Sequence, residues 1–409
     1  MTVNGIIAEY NPFHNGHKFQ MEEAARRTQA DYTVVVMSGN FVQRGAPALL
    51  DKHKRAEAAL RCGADLVLEL PTLYAASSAE YFGAGSVALL DKLGVITHLC
   101  FGSECGDTPL LTQIAEILVE EPPEYSATMR NLLQQGLSYP NARTWALMQN
   151  YPFLCDHKKV FSSPNNILGI EYIKALIRRE SDLIPLTVQR TGTGYHDRET
   201  SGEYCSSLAI RQALYTGSDL AQLCHHMPEE AGVLLIRHLA KNAPVRTDNF
   251  SQMLHYKLLL DHHKGYDSYQ DVSSDLSDRI KKRLNEYKSF ESFCDLLKTK
   301  EMTYTRISRC LFHILLNITK EDMDAAKEND YIPYARVLGF RKSASPLLTA
   351  IRENASVPLI TKLADAENYL DELGCRMLNQ DIMAGRIYQS ASHFGQPQIS
   401  EYAIPLVIV

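Results

Sequence analysis

The chain has 409 residues, of which 45% are hydrophobic and 22% are charged, and its formal net charge is −6. A chain of this length is too long for one compact core, so two domains are expected. It has no apolar run of about 18 residues and no secretory signal at its start, which predicts a cytoplasmic protein without a membrane span. Neither half carries an excess of basic residues, so any nucleic acid would have to bind to a local patch.

Nine cysteines are scattered along the chain without a C-x-x-C pair. This pattern favours small buried thiols in a reducing compartment over a disulfide framework. It also argues against a zinc site, and we predict no protein-bound metal.

Short apolar runs alternate with stretches of helical spacing from the start of the chain to Arg190. Five of the runs are predicted strands: VNGIIAEY, YTVVVMSG, DLVLELP, THLCFGSE and LIPLTVQR. Between the last two, a long helical stretch is expected from Thr108 to about Asn150, followed by a helix over NNILGIEYIKALIRRES. Apolar strands that alternate with helices are typical of a parallel sheet covered on both faces. We predict an α/β fold with a doubly wound parallel sheet.

The segment after Ser206 has helical spacing, and the strands are expected to stop there. We place a domain boundary near residue 225. Residues 1–225 would form the α/β domain, and residues 226–409 a mostly α-helical C-terminal domain.

The stretch EYNPFHNGH, residues 9–17, directly follows the first predicted strand. Ligands of doubly wound folds bind beyond the carboxyl ends of the strands, and the next helix aims its free N–H groups at the same place. Gly16 allows close backbone approach, and His14 and His17 could donate to a phosphoryl group. The alternative is a surface loop with incidental histidines. The chain lacks a P-loop motif, and no G-x-G-x-x-G follows the first strand.

The stretch SSLAIRQAL, residues 206–214, is a second candidate anion site. A hydroxyl-rich helix start with Arg211 one turn inside could bind phosphate, whereas the alternative is that Ser206 or Ser207 only caps the helix. Together with the helix after His14, this helix could clamp a triphosphate.

Three further motifs stand near strand ends. Gly102, in FGSE, could let an adenine or ribose lie against the backbone. Residues 162–169, SSPNNILG, form a turn that enters a helix, and simple capping is the alternative there. Arg190, in QRTGTGYH, is expected to contact a phosphate or a nucleobase.

The end of the second strand, Ser38 to Asn40, is followed by QRG and then by Lys52 and Arg55 on a helix. These residues could form a wall of the substrate pocket. For Lys52 and Arg55, ordinary solvated charge is an equally good interpretation.

His14-Asn15-Gly16-His17 and the segment Ser206–Arg211 together resemble the two motifs of the HIGH-type nucleotidyltransferase superfamily. EYNPFHNGH, VVMSGNFVQRG, DLVLELP, FGSE, SPNNILG and SSLAIRQAL resemble, in this order, the bacterial tRNA(Met) cytidine acetate ligase family, from the start of the chain to about Tyr215. YARVLGF, residues 334–340, continues the resemblance weakly. The resemblance implies a HUP or Rossmann-like nucleotidyltransferase domain.

The resemblance also implies a reaction. Acetate and ATP, with Mg²⁺ on the triphosphate, would give acetyl-adenylate and pyrophosphate. The exocyclic amine of the wobble cytidine in elongator tRNA(Met) would then take the acetyl group and become N4-acetylcytidine. The enzyme would mainly position the reactants and stabilise charge at the α-phosphate.

The same resemblance implies site residues. The catalytic candidates are His14, His17, Lys18, Ser206 and Arg211. The ATP-binding candidates are Ile7, Ala8, Glu9, Tyr10, Asn11, Pro12, Phe13, His14, Asn15, Gly16, His17, Lys18, Phe19, Gln20, Gly102, Asn165, Arg190 and Thr191.

The helical half would then contact tRNA through local basic patches. The candidates are Arg279, Lys282, Arg306, Arg309, Arg336 and Lys342. Tyr334 could help to unstack the target base. The alternative for each basic residue is an ordinary solvated helix face.

Two other functions stay open on the residues alone. One is a small-molecule adenylyl- or cytidylyltransferase of the same fold, although such enzymes usually lack a long helical half. The other is a catalytically silent RNA-binding protein, which would release no pyrophosphate from ATP. The intact set of His14, Gly16, His17 and Arg211 argues against the silent protein.

Overall fold

A computed structural model describes residues 1–190, 205–392 and 397–409 of the chain. Its strands are β1 Val3–Ala8, β2 Tyr32–Ser38, β3 Phe41–Val42, β4 Ala46–Pro47, β5 Leu66–Leu70, β6 His98–Ser103, β7 Ile184–Gln189, β8 Ala335–Phe340, β9 Leu359–Ile360 and β10 Val407–Ile408.

The α-helices occupy both halves of the chain. They are α1 Asn15–Thr28, α2 Lys52–Arg61, α3 Thr72–Ala75, α4 Ala79–Lys92, α5 Thr108–Glu120, α6 Pro123–Gln134, α7 Tyr139–Asn150, α8 Pro164–Arg178, α9 Ser207–Tyr215, α10 Leu220–Cys224, α11 Glu229–Leu239, α12 Ser251–Asp261, α13 Ser274–Arg283, α14 Phe290–Leu297, α15 Tyr304–Leu316, α16 Lys320–Glu328, α17 Ser345–Asn354 and α18 Glu372–Ser392. Short 3-10 helices include Pro152–Ser162 and Glu401–Ala403.

The main sheet has the order β10-β8-β5-β2-β1-β6-β7, with β9 beside β8. The five predicted strands are β1, β2, β5, β6 and β7, and they run parallel, with Ile6 opposite Val35 and Gly102 opposite Val188. Their interiors are buried because helices pack on both faces. The prediction of a doubly wound α/β sheet followed by a mostly helical region is confirmed.

The helical stretch expected from Thr108 to Asn150 is broken into α5, α6 and α7. Glu121 takes a left-handed conformation with φ of 44° before Pro122 and Pro123, which ends α5 and starts α6. Gly136, with φ of 84°, also takes a left-handed conformation and follows the end of α6. No helix in the described ranges is long and apolar enough to cross a membrane.

The prediction that strands stop after Ser206 is wrong. β8 lies inside YARVLGF, pairs antiparallel with β5, and has β9 and β10 parallel beside it. A short apolar run among helices carries too little periodicity to identify a strand. Residues 226–409, predicted to be a separate helical domain, therefore add strands to the sheet of the α/β domain. The domain boundary at residue 225 stays a prediction.

Four buried charged side chains form ion pairs between residues 1–225 and residues 226–409. The Lys52 ammonium lies 2.8 Å from the Glu69 carboxylate and 2.9 Å from that of Glu401. The Arg336 guanidinium lies 2.9 Å from Glu69 and 2.6 Å from Glu401. Lys52 and Arg336 are 1% and 3% exposed. Lys52 therefore does not line the substrate cavity, and Arg336 cannot reach RNA from this position; both neutralise buried carboxylates instead.

Candidate nucleotide-binding site

The turn between β1 and α1 is held by its own two histidines. The Nδ1 atom of His14 accepts a hydrogen bond from the Gly16 N–H at 3.0 Å, and Nδ1 of His17 accepts one from the His14 N–H at 3.2 Å. The two bonds satisfy backbone donors that a helix start leaves free. A Cβ at Gly16 would lie 3.0 Å from Cε1 of His14, so this position favours glycine.

The His14 and His17 rings stack with their centroids 3.7 Å apart. Burial lowers the pKa of His14 to about 3, with further lowering from Arg190, His226 and Arg211. Burial and the neighbouring His14 lower the pKa of His17 well below its usual value. Both rings are therefore neutral at pH 7. Because each Nδ1 accepts, the proton of each ring is on Nε2, and the turn offers two N–H donors.

The second predicted motif packs directly on this turn. Ser206 Oγ accepts from the Ala209 N–H at 3.2 Å and caps α9. Ser207 Oγ donates to the Pro12 carbonyl at 3.1 Å, and the Arg211 guanidinium donates to the Asn11 carbonyl. The starts of α1 and α9 therefore meet at the carboxyl edge of the sheet, as the clamp hypothesis requires.

Arg55 holds the loops beneath the turn. Its guanidinium donates to the carbonyls of Glu9 at 2.7 Å, Ser38 at 3.0 Å and Leu50 at 2.9 Å, and also to that of Gly39. The residue is buried, so it is not a wall of the pocket. Its hydrogen bonds instead fix the ends of β1 and β2 next to each other.

FGSE and SSPNNILG meet in one reciprocal arrangement. The Glu104 carboxylate accepts from the backbone and side chain of Asn165 at 3.2 and 2.7 Å, and from the Asn166 N–H at 2.9 Å. Asn166 Oδ1 in turn accepts from the N–H groups of Glu104 and Cys105. Ser163 makes no side-chain cap hydrogen bond, so the free N–H groups at the start of α8 are satisfied by Glu104 and not by the serines of the motif. Asn165 also faces the cavity described next.

A cavity of about 320 Å³ lies where these elements converge. The predicted residues that line it are Ile7, Ala8, Glu9, Tyr10, Asn11, His14, His17, Gln20, Gly102, Asn165, Arg190, Ser206 and Arg211. Gly16 and Phe19 line a small adjoining cleft of about 30 Å³.

Four other predicted residues lie around the cavity without lining it. Pro12 accepts from Ser207, and Phe13 packs beneath Tyr10 and His17. Asn15 bonds to the carbonyls of His225 and His226. Lys18 is not among the residues that line the cavity, and its charge acts on the Cys62 thiol. Thr191 lies outside the described residues.

The sequence motifs indicate only some of the other residues that line the cavity. Gln43 and Arg44, from the QRG stretch, sit on the β3–β4 hairpin and line the cavity, and the Gln43 N–H donates to Glu9 Oε1 at 3.0 Å. An apolar wall comes from Phe82, Phe101, Ile167, Leu168 and Tyr172. Phe101, Ile167 and Leu168 stand in the FGSE and SSPNNILG motifs, whereas Phe82 and Tyr172 are ordinary core types that no local pattern marks as ligand contacts.

The hairpin that carries Arg44 rests on the helical half of the chain. Ser308 Oγ, in α15, donates to the Gly45 carbonyl. Gly45 has a φ of +66°, and a Cβ there would overlap the Arg309 backbone. The position of Arg44 at the cavity therefore depends on α15.

The cavity is built for an anion at one end. Arg44, Arg190 and Arg211 line it together with the carboxylate of Glu9. Burial lowers the pKa of the Arg44 and Arg211 guanidiniums, which means that their charges are incompletely solvated. A polyphosphate between them would offset this loss of solvation. The apolar residues of the lining suit a flat ring.

The tRNA candidates differ in exposure. Lys282, Arg306 and Lys342 are exposed. Arg279 donates to the Leu297 carbonyl at 2.9 Å, and Arg309 is largely covered beside Asp271. Tyr334 is 1% exposed and donates to Asp381, so it cannot assist base unstacking in this conformation.

A parallel sheet whose first strand ends in an H-x-G-H turn is the arrangement of the HIGH-type nucleotidyltransferases, and the family model described as HIGH Nucleotidyl Transferase matches residues 1–401. The chain is 39% identical over 420 residues to a tRNA(Met) cytidine acetate ligase of Clostridium perfringens, with 100% of each chain covered. It is also 39% identical to that of Acetivibrio thermocellus, covering 95% of this chain and 94% of the relative. This chain belongs to the family of the tRNA(Met) cytidine acetate ligases.

The solved structures agree. Thermotoga maritima TmcAL bound with alpha-thio ATP is 31% identical and superposes with a TM-score of 0.93 over 100% of both chains. The apo form of the same protein superposes with a TM-score of 0.94, again over 100% of both chains.

Proposed function

We propose that this protein activates acetate with ATP and transfers the acetyl group to N4 of the wobble cytidine of elongator tRNA(Met). The observation that carries the proposal is the neutral, stacked His14–His17 pair in a cavity that Arg190 and Arg211 also line. The full-length identity to curated ligases supports the choice of reaction.

In the first step, an acetate oxygen attacks the α-phosphorus of ATP. A new O–P bond forms, the bond from the α-phosphorus to the bridging oxygen breaks, and pyrophosphate leaves with that electron pair. Negative charge grows on the phosphoryl oxygens during this step. The Nε2–H groups of His14 and His17 and the guanidiniums of Arg190 and Arg211 are the donors that stabilise it.

Both histidines act as hydrogen-bond donors and not as acids. Protonating His14 would require a pH near its lowered pKa of about 3. A neutral donor suits pyrophosphate, which leaves as an anion and needs no proton from the enzyme.

In the second step, N4 of cytidine attacks the acetyl carbonyl of the adenylate. A C–N bond forms, the acyl C–O bond breaks, AMP leaves with that electron pair, and the proton lost by the amine nitrogen passes to the AMP phosphate. The protein's task here is to hold the base beside the mixed anhydride and to exclude water.

The adenine ring and the magnesium ion would bind at separate positions. Phe82, Phe101, Leu168 and Tyr172 would pack against the adenine ring. The described residues contain no group of three or more metal-ligating side chains, and Glu104 is engaged at the start of α8. Mg²⁺ would therefore be held by the triphosphate oxygens, where it offsets negative charge.

The exposed residues Lys282 and Arg306 are the candidates that would contact the tRNA on its way to this site. Lys342 follows β8 at the amino end of β5, at the other edge of the sheet from the cavity. A small-molecule nucleotidyltransferase is not favoured, because the helical half spans the remaining length of the chain and the ligase relatives share it.

The test is an assay with radiolabelled acetate, ATP, magnesium and tRNA(Met), followed by nucleoside analysis. Label is expected in cytidine, only when ATP is present. ATP binding without acetate-dependent pyrophosphate release would overturn the activation step. Pyrophosphate release without label in RNA would overturn the acceptor.

A further inference from the structure

Helix α7 and the 3-10 helix Pro152–Ser162 carry exposed aromatic and basic side chains. Trp145 and Phe153 are both 47% exposed. The Lys158 ammonium lies 5.7 Å from the centre of the Trp145 ring, and its chain neighbours His157 and Lys159 are exposed. We call Trp145, Phe153, His157, Lys158 and Lys159 the Trp145 face.

A groove lies between this face and the start of α8, next to the nucleotide site. It has a volume of about 820 Å³, and its lining includes His157, Lys158 and Lys159 together with Glu104 and Asn166. Glu104 also holds Asn165, which lines the cavity proposed for ATP. Lys159 is close to Asn165 along the chain, which limits the separation of their backbones to about 20 Å.

The lysines of this surface can contact phosphates, and the nearby acidic residues are Asp156 and Glu104 in the groove and Glu120 and Glu124 near Tyr151. Residues 152–163 contain two lysines, one histidine and a single acidic residue, Asp156. Arg143, on α7, is paired with Glu171 at 3.4 Å and adds no net charge. Lys158 and Lys159 have no carboxylate within ion-pair distance among the described residues, so their charges are available to a ligand.

Single-stranded RNA is the ligand that this combination fits. Proteins bind unstacked bases on exposed aromatic rings and neutralise the neighbouring phosphates with lysine or arginine. An exposed tryptophan that already has a lysine over its ring offers both contacts at one place. A protein partner would instead favour a larger continuous apolar surface with few lysines.

We infer that the Trp145 face binds single-stranded anticodon-loop nucleotides of the tRNA while the target cytidine enters the cavity. The inference rests on the proposed function, because it takes the tRNA substrate from there. The tRNA would then contact two surfaces: the Trp145 face and the basic patches predicted on residues 226–409.

The sequence offers a direct reporter of this contact, since Trp145 is its one tryptophan. We would titrate the unmodified protein with the anticodon stem-loop of tRNA(Met) and record tryptophan fluorescence, with binding followed independently by gel shift. Stacking is expected to quench the emission in step with binding. Saturated binding with unchanged emission would overturn the inference.

Variants test the same contact by affinity. Trp145→Ala is expected to weaken stem-loop binding about fivefold to 150-fold, whereas Trp145→Phe keeps most of the affinity. The double change Lys158→Glu and Lys159→Glu is expected to weaken binding and reduce its salt dependence by about 0.7 per lost phosphate contact. The matched control is Lys362→Glu with Arg352→Glu, two exposed residues that carry the same charge change. Equal affinities in the test and control pairs would overturn the inference.

Two further measurements separate the possible failures. Acetate-dependent exchange of pyrophosphate into ATP is measured without RNA and is expected to be unchanged in these variants. Absence of exchange in the unmodified protein would overturn the proposed function, whatever the RNA result. If a variant does not fold, cross-linking of a 4-thiouridine-labelled stem-loop to the unmodified protein decides: cross-links within residues 139–163 support the inference, and cross-links only elsewhere overturn it.

Discussion

Two substitutions of His17 separate its structural role from its proposed catalytic role. The ring uses Nδ1 to accept from the His14 N–H and leaves Nε2–H for a ligand. Asparagine places an oxygen near the position of Nδ1, so His17→Asn keeps the turn but loses the donor. Glutamine reaches the position of Nε2 instead, so His17→Gln keeps a donor and loses the acceptor.

The expected magnitude follows from these contacts. Loss of one donor that stabilises transition-state charge costs about 100- to 1,000-fold in rate, or about 2.7–4 kcal/mol. His17→Ala additionally leaves the His14 N–H without its acceptor, which costs about 1 kcal/mol of stability by analogy with a lost helix cap. We expect His17→Asn to melt like the unmodified protein and to lose the rate.

The assay is acetate-dependent exchange of labelled pyrophosphate into ATP, with ATP affinity and thermal unfolding measured in parallel. His17→Asn is expected to lower kcat strongly and to change ATP affinity less than tenfold. A normal exchange rate in a folded His17→Asn protein would refute the assignment of Nε2–H to the transition state. An equal loss of stability in the asparagine and alanine variants would refute the role assigned to Nδ1.

Three more substitutions or conditions test other parts of the structure. Ser308→Ala removes the bond to the buried Gly45 carbonyl that supports the hairpin carrying Arg44, so the acetate-dependent exchange rate is expected to fall and the free energy of unfolding to drop by about 1–3 kcal/mol; an unchanged rate would contradict this support. Glu401→Gln leaves buried cations undercompensated, and urea unfolding is expected to show a loss of about 3–5 kcal/mol, against less than about 1 kcal/mol for Asp365→Asn in an exposed pair; equal losses would contradict the buried network. The folded pKa of His14 is about 3 and lies below its unfolded value near 6.5, so only the unfolded chain gains this proton as the pH falls from 6.5 towards 3. Stability is therefore lost on acidification, and the difference between pH 7 and pH 5 is expected to be about 2 kcal/mol larger for the unmodified protein than for His14→Asn; identical differences would contradict the lowered pKa.

The five parallel strands could be predicted because each is a continuous β-branched or apolar run next to a helix. YTVVVMSG is an example, and it forms β2 beside β1. β8 could not be predicted in the same way, because what makes it a strand is the open edge of β5, which lies far earlier in the chain. That edge is a property of the fold and not of the local sequence.

The residues of the candidate site likewise divide into those that the local sequence predicts and those that only the fold reveals. His14, His17, Ser206 and Arg211 were predictable because helix starts near strand ends have a known use, and all four line one cavity. Lys52, Arg55 and Arg336 resembled ligand-binding cations in the sequence, but each is buried against partners that only the fold brings near. Arg44 was marked only as part of QRG, since its place at the cavity depends on α15 of the helical half.

The nucleotide site depends on the helical half, although its predicted motifs all lie before Tyr215. Ser308 supports the hairpin that presents Arg44, and Glu401 compensates the charge of Lys52 at the start of α2. Arg306, an exposed candidate for RNA contact, lies just before Ser308 on the same helix. RNA bound at Arg306 would therefore act on the same turn of α15 that already supports a wall of the ATP cavity. This connection gives a physical reason why the helices of residues 226–409 pack firmly on the domain that holds the nucleotide. A flexible linker between the two halves would leave Arg44 without the support of α15.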